Sequence, residues 1–358
     1  MFKTQITLLL LTVLSFSCSS KLSEYFTDKE KTNERNEKLI ESFDDEEDVL
    51  KKFQEKKEKN IPVEKKSMNT KALVKKKIKK KSSKQITLKK SPPKNKRTTK
   101  KEKVKKELEY SEVFKQIDKE TENEWKEFKP IIVEGEETYL DINYMGVSTG
   151  KIALTTLAQT KLGEKDVYHF HARVKTSTYY SYLYELDDNI DSYIDMKTFT
   201  PVKFSLIQRE SGQDVDDLQL FDSEKLKTYT FYKRVTKKKT KKKKQTKPTP
   251  IRFQDPLSVF HFLRGLPLVK NKVYTVPMMN KGKVLVLKAK AVGREVLDTE
   301  IGDIEAIKVE ASTQYTGDTL KSGDMTFWFS SDERRVFLKF EAKIKIGSIS
   351  GDIEKYER

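Results

Sequence analysis

The chain has 358 residues, of which 35% are hydrophobic and 36% charged, with a formal net charge of +18. Length alone suggests two or three domains, but so high a charged fraction excludes packing the whole chain into cores. The charge is local: Lys65 to Lys106 holds 19 Lys and Arg97 against the single acid Glu102, a net +19, so the rest of the chain is near neutral and a general nucleic-acid binder is excluded.

The N-terminus carries Lys3, then a mostly apolar run from Ile6 to Leu14, then Ser15, Phe16 and Ser17 before Cys18. This is the layout of a signal peptide over residues 1–17, and the run is too short to span a bilayer, which needs roughly 20 residues. Cys18 is the only cysteine, so no internal disulfide can form. A small residue before a cysteine resembles the lipobox of bacterial lipoproteins, in which that cysteine is acylated, although Ser15 stands where the usual Leu is expected. Cys18 is therefore the expected lipidation site. The same resemblance, with Ser19 and no Asp after the cysteine, implies an outer-membrane lipoprotein facing the periplasm. A soluble periplasmic protein is the alternative.

Residues 18–107 lack the apolar periodicity that offsets chain entropy and are rich in Lys, Glu, Ser, Thr and Asn. They read as a disordered Lys-rich tether filling the N-terminal third, with a transient helix over Asp44 to Lys59, where acids lie at the N-end and lysines at the C-end. Such a coil would hold the following domain about 60 Å from its anchor. Lys75, Lys76, Lys77, Lys79, Lys80 and Lys81 are expected to contact anionic surfaces. The segment has no aromatic residue for base stacking, so specific nucleic-acid binding is not expected.

Tyr110, Phe114, Ile117, Thr121, Trp125 and Phe128 recur at helical spacing until Pro130, predicting an amphipathic helix over 108–129. From there the period becomes two, and 130–358 reads as an antiparallel β domain. Leu140, Ile142 and Tyr144 alternate with Asp141 and Asn143, and a turn over Gly146 to Gly150 completes a hairpin with Ile152 and Leu154. Further strands are expected at 167–174, 180–186, 202–208, 218–222, 226–232, 273–279, 284–292, 304–311 and 325–330. In the last strand Val336, Leu338, Phe340, Ala342, Ile344 and Ile346 share one face. One helix interrupts the strands, with Asp255 as N-cap, Pro256 in its first turn and Gly265 ending Leu257 to Arg264. The fold class is thus all-β, a strongly curved antiparallel sheet or barrel with one inserted helix; a β-sandwich is the alternative.

The residues Gly146-Val147-Ser148-Thr149-Gly150, Asp255-Pro256-Leu257-Ser258 leading to Arg264, Arg294-Glu295, and Phe327-Trp328-Phe329-Ser330 with Asp332, Arg334 and Arg335 resemble a bacterial envelope family, domain of unknown function 3108. The resemblance implies an exported β fold and carries no catalytic residues. The chain departs from it by a Lys-rich insertion, Lys233 to Lys247, with nine Lys, Arg234 and no acid. It is expected to be a mobile hairpin loop in which Lys237, Lys238, Lys239, Lys241, Lys242, Lys243 and Lys244 contact anionic groups.

Other candidates are weak. His169 and His171 share a strand face with Arg173, but two imidazoles beside a cation do not make a zinc site, and solvated histidines are the expectation. Ser258 and His261 share a helix face with no identifiable orienting acid. Asp332, Arg334 and Arg335 read as an ion-paired turn, and Tyr179, Tyr180, Tyr182, Tyr184 and Tyr193 as structural aromatics rather than a ligand wall. No metal, cofactor or catalytic residue is expected. The sequence points to a non-catalytic envelope lipoprotein whose β domain binds an envelope protein partner or an apolar or lipidic ligand, with the basic tether contacting anionic lipid, lipopolysaccharide or wall polymer. The alternatives are an anionic-polymer binder acting through the Lys clusters and, last, an envelope hydrolase.

Overall fold

The computed structural model describes residues 29–43, 52–54, 110–315, 321–343 and 347–358. Its centre is one antiparallel sheet of fourteen strands, so the sandwich alternative does not hold. The strands are β1 (Glu137–Tyr144), β2 (Val147–Leu162), β3 (Lys165–Thr176), β4 (Asp187–Asp195), β5 (Pro201–Glu210), β6 (Gln213–Asp222), β7 (Lys227–Val235), β8 (Thr240–Pro248), β9 (Val273–Asn280), β10 (Lys283–Leu297), β11 (Ile304–Tyr315), β12 (Lys321–Ser330), β13 (Phe337–Lys343) and β14 (Ser348–Glu357). The order β8-β7-β6-β5-β4-β3-β2-β1-β14-β13-β12-β11-β10-β9 consists of two meanders joined where β1 pairs with β14. β8 and β9 are the free edges. The helices are α1 (Lys29–Glu41), α2 (Glu112–Glu120), α3 (Glu122–Glu127), α4 (Thr178–Ser181) and α5 (Ser258–Arg264).

Local chemistry explains most of these elements. The first hairpin turns on two residues only, Met145 and Gly146, both with positive φ (51° and 82°), and Val147 to Gly150 already belong to β2. The expected helix 108–129 is two: Thr121 turns its hydroxyl onto the Ile117 carbonyl, and the chain restarts as α3. Asp255 caps α5 by accepting hydrogen bonds from the amides of Leu257 and Ser258 at 2.9 and 2.8 Å, and the Ser258 hydroxyl accepts from the Asp255 amide at 2.9 Å. Gly265 ends the helix where any Cβ would strike the Phe128 ring.

Two expectations fail and a third holds. Residues 180–186 are not a strand but the turn of α4 and its exit, because Tyr179, Tyr182 and Leu183 face solvent with no partner strand to bury them. Lys233 to Lys247 is not a loop: β7 and β8 pair through it from Lys227–Pro248 to Val235–Thr240. In β13 the expected alternation holds, with Val336, Leu338, Phe340 and Ala342 buried and Glu341 and Lys343 exposed, although a bulge sets Phe337 opposite Phe329; residues 344–346 lie outside the described residues.

The face of the sheet that packs on α5 carries the main core. Phe262 stacks with Phe128 and contacts Trp125, at ring centroid distances of 4.5 and 4.3 Å, and Phe260, Phe327, Phe337 and Phe340 form a second ring cluster. Rings thus fill the space around α5. Arg264, at the end of α5, forms a bidentate ion pair with buried Glu136 and donates to the Arg334 carbonyl at 2.8 Å; Tyr356 donates to the same carboxylate at 2.8 Å. One helix end is thereby fixed to the entry of β1, to the turn before β13 and to β14.

The tether is not disordered throughout 18–107. Leu39 and Ile40 of α1, with Phe43 and Phe53, pack on the opposite face of the sheet against Tyr193, Val202, Leu218, Leu220 and Phe231. Asn36 accepts a hydrogen bond from Ser205 at 3.0 Å, and Lys52 pairs with Asp222 at 3.1 Å. The helical face is short, which is why periodicity did not reveal it, but each buried apolar side chain contributes about 1.5–3 kcal/mol. The remainder of the expected tether, Lys75 to Lys81 included, lies outside the described residues, as does most of the helix expected over 44–59. Substituting Leu39→Asp together with Ile40→Asp is expected to free residues 29–43 from amide-exchange protection and leave protection of the sheet strands unchanged. Retained protection of α1 in that variant would refute its docking.

Candidate functional site

The β7–β8 hairpin is the most highly charged described part of the chain. Thr236 closes its tip by donating to the Lys239 carbonyl at 2.9 Å and accepting from the Lys239 amide at 3.1 Å. Lys237, Lys238 and Lys239 stand exposed at that tip, and Lys241, Lys242 and Lys243 are exposed along β8. Register places Lys233 opposite Lys242 and Arg234 opposite Lys241. Like charges directly across a ladder destabilise it, so this arrangement carries a standing electrostatic cost. A lysine-covered edge strand also resists pairing with other chains, and edge protection accounts for part of the pattern. Strand alternation sends the cations to both faces: Lys242 and Lys244 lie over the rings of Phe43 and Phe231 at 5.8 and 5.7 Å, beside α1. Lys241 and Lys243 lie on the α5 face.

The expected solvated histidines are found otherwise. His169 is fully buried, stacked on Tyr193 with ring centroids 4.1 Å apart, and its Nε2 lies 2.7 Å from an Asp191 oxygen that His171 Nδ1 also approaches at 3.0 Å. Burial pushes the Asp191 carboxyl upward, but the two imidazole hydrogen bonds outweigh it and hold the group well below the usual carboxylate range. Arg173, on the same face, makes a bidentate pair with Asp187 at 2.8 Å. Among the described residues no group of three or more metal-ligating side chains occurs. Nothing in the sequence named Asp191 as the partner, because the missed strand β4 supplies it.

The Ser258–His261 pair does not assemble a nucleophile. Ser258 serves the α5 cap, while His261 stacks on Phe170 at 3.6 Å and burial, with the Arg264 charge, pushes its imidazole down to about 3. Beside it a cavity of about 30 Å³, the size of one water, is lined by Glu136, Thr155, Phe260 and Arg264. Asp332 pairs with Arg334 at 2.6 Å, as the turn reading requires. Tyr184 donates to Glu210 at 2.6 Å, and Tyr193 lies on the opposite sheet face, so the tyrosines form no common wall.

A second polar network lies on the α5 face of β4 and β5. Gln208 donates to Asp188 at 2.9 Å and to Glu210 at 3.1 Å, and the Arg209 amide donates to Asp188 at 3.0 Å. Burial pushes the Asp188 carboxyl up to about 8; the Gln208 hydrogen bond works against the rise and the Glu210 charge adds to it.

One curved sheet of antiparallel meanders around a short buried helix defines an all-β, barrel-like protein that strand pairing does not close. The chain belongs to the family "Protein of unknown function (DUF3108)", whose model matches residues 139–354. No curated protein matches it. Among solved structures it is similar to a β-barrel-like protein of domain of unknown function DUF1849 from Brucella abortus, with 12% identity, a TM-score of 0.41 and coverage of 63% of this chain and 98% of that one. LprF from Mycobacterium bovis is similar at 10% identity and a TM-score of 0.21, covering 69% of this chain and 93% of that one.

The Asp188 network yields a pH test. An unfolded Asp titrates near 3.9, so the folded chain holds this proton more tightly, and the resulting stability is full below about pH 4 and lost as pH rises through about 8. Asp188→Asn fixes the neutral form. Its melting temperature is expected to fall less between about pH 5 and pH 8 than that of the wild type, as measured by thermal unfolding; parallel curves would contradict a protonated Asp188.

Proposed function

We propose that the chain is a non-catalytic cell-envelope lipoprotein whose β domain is a binding module for a protein partner or an apolar or lipidic ligand, and whose lysine clusters contact anionic envelope surfaces. The observation that carries this reading is the β7–β8 hairpin, which keeps nine Lys and Arg234 without an acid from 233 to 247 despite like charges facing across its ladder. An external anion offsets that repulsion: phosphate groups of lipid or lipopolysaccharide, or a wall polymer. The exported location rests on the signal-peptide layout and Cys18, with the periplasmic face of the outer membrane as the proposed site. Engagement of Ser258 in a cap and of His261 in a ring stack supports a binding role over hydrolysis. The rings packed around α5 favour a ligand or partner elsewhere on the sheet over an apolar guest beside that helix.

A second reading, an anionic-polymer binder in which the lysines are the whole function, draws on the same hairpin; both readings share the first test below, and the anchor in the second separates them. In the full chain, replacing Lys237, Lys238, Lys239 and Lys241 with Gln is expected to weaken binding to vesicles of anionic lipid by about tenfold or more, with binding by the wild type falling steeply as salt rises. Salt-insensitive binding would remove the electrostatic role. Cys18→Ala, tested beside it in cells, is expected to move the protein from the membrane fraction to the soluble envelope fraction. Persistence in the membrane fraction would leave the lysines, not a lipid, as the anchor.

A further inference from the structure

The hairpin turns at one end of β1 to β8 leave from a single rim. Ile142 pairs with Gly150 and Gly150 with Thr176, while Leu186 pairs with Glu210 and Glu210 with Gln213, one residue before Asp214 meets Val235. The Leu186 carbonyl accepts from the Thr176 amide at 2.9 Å, so these pairs form one row across β1 to β7. Past that row project the β1–β2 turn, the β3–β4 connection with α4, and the lysine tip of β7–β8. At a strand spacing of about 4.8 Å, the β3–β4 connection lies roughly 10 Å along the sheet from the first turn and roughly 19 Å from the lysines.

That connection, Ser177 to Tyr184, has no charged residue in a chain that is 36% charged. Tyr182, Leu183 and Tyr179 are 88%, 75% and 71% exposed, the three most exposed large apolar side chains among the described residues, and Met145 and Val147 stand exposed on the neighbouring turn. The exposure is held by hydrogen bonds. The amides of Tyr180 and Ser181 donate to the Ser177 carbonyl, those of Leu183 and Tyr184 donate to the Tyr180 carbonyl, and Glu185 and Ser211 exchange hydrogen bonds at 2.7 and 2.9 Å. The Tyr184 hydroxyl is fastened to Glu210 at 2.6 Å. A tip whose amides are satisfied internally can leave water without orphaning them, and it offers a protein partner no open strand edge to extend. Tyrosines beside lysines suit the headgroup level of a bilayer, where rings and Leu183 pack on acyl carbon while hydroxyls and ammonium groups meet phosphate and water. The opposite end of the sheet also exposes Val296 and Ile301, but the β10–β11 turn there carries Asp298, Glu300 and Asp303, which an anionic surface repels.

We propose that this rim is a membrane-docking surface, in which Tyr179, Tyr182 and Leu183 enter the headgroup layer of an anionic bilayer while Lys237, Lys238 and Lys239 meet its phosphates. The proposal deepens the anionic-surface reading and rests on it: it names a lipid bilayer as the surface and adds an apolar contact that the lysines alone do not supply. A wall polymer or other soluble polyanion offers the lysines an anion but has no apolar layer for Leu183 to enter.

The test uses the full chain with Cys18→Ala as parent, so that no acyl group contributes, and vesicles of phosphatidylcholine with and without phosphatidylglycerol. The apolar N-terminal run is common to every chain compared. Tyr182→Ser combined with Leu183→Ser is expected to weaken binding to the anionic vesicles about tenfold by removing apolar area, and to leave its salt dependence unchanged. The melting temperature is expected to stay that of the parent, since both side chains are exposed. Replacing Lys237, Lys238, Lys239 and Lys241 with Gln is expected to weaken the salt-dependent part of binding instead. In a third variant, Tyr182→Trp, indole emission is expected to shift to shorter wavelength on the anionic vesicles and to be quenched by lipids brominated on their acyl chains, beyond any quenching of the parent, whose own Trp125 and Trp328 are not exposed. Parental binding by the serine variant, or no added quenching in the tryptophan variant, overturns the docking rim. If the glutamine variant still binds more weakly in that case, the anionic-surface reading stands; a parent chain that binds neither kind of vesicle removes both.

Discussion

The two free edges of the sheet set the terms for the rest of the molecule. Each edge strand presents a row of backbone groups that must find partners or invite another chain. On β9 the Thr275 amide donates to Glu124 of α3 at 2.9 Å, and residue 254 exchanges backbone hydrogen bonds with Pro277 and Met279 at 2.8 Å. On the β8 side Gln245 reaches the Lys281 carbonyl at 2.6 Å, and Gly282 supplies the close approach that a Cβ would block. Asp118 of α2 accepts from the amides of Ile251 and Arg252 at 3.0 and 3.2 Å, which holds the crossing segment in place. The amphipathic helix and the segment after β8 are thus the seam of the sheet, joined by side chains and by one short backbone pairing at Gln254 where a closed barrel would use a full ladder.

A sheet of this breadth also encloses more space than one seven-residue helix can fill. Around α5 the deficit is met by phenylalanine rings and by the buried Arg264–Glu136 pair, whose remaining hydrogen bonds go to Arg334 and Tyr356. Toward β6 and β7 polar side chains take the place of rings.

The opposite face is organised by charge as well as by packing. Lysines of β8 extend over aromatic rings that α1 shares, so the cationic hairpin and the N-terminal helix form one continuous surface. Lys242 donates to the Ser42 carbonyl at 3.1 Å, which ties the two together directly. A contact between the hairpin and an anionic surface therefore also bears on the segment that leads back toward Cys18.

Sequence alone determined the features whose cause is local. Period-two alternation gave most strands, Asp255 and Gly265 gave both ends of α5, and the count of acids and lysines marked the hairpin as cationic. The lysine positions were legible, but their strand was not, because β propensity is low for Lys and pairing with β7 overrides it. β4 and β14 went unseen for different reasons: Asp187 to Asp195 holds Asp188, Asp191, Ser192 and Asp195, polar residues that become buried only when neighbouring strands cover them, while the inward positions of Ser348 to Glu357 offer only Ile349 and Ile353 around Gly351 as an apolar signal. The Asp191–His169 contact and the Arg264–Glu136 fork each join residues distant in the chain and depend on which face a strand turns inward. Only register, set by fourteen strands at once, decides those, since a shift of one residue exchanges every buried side chain for an exposed one.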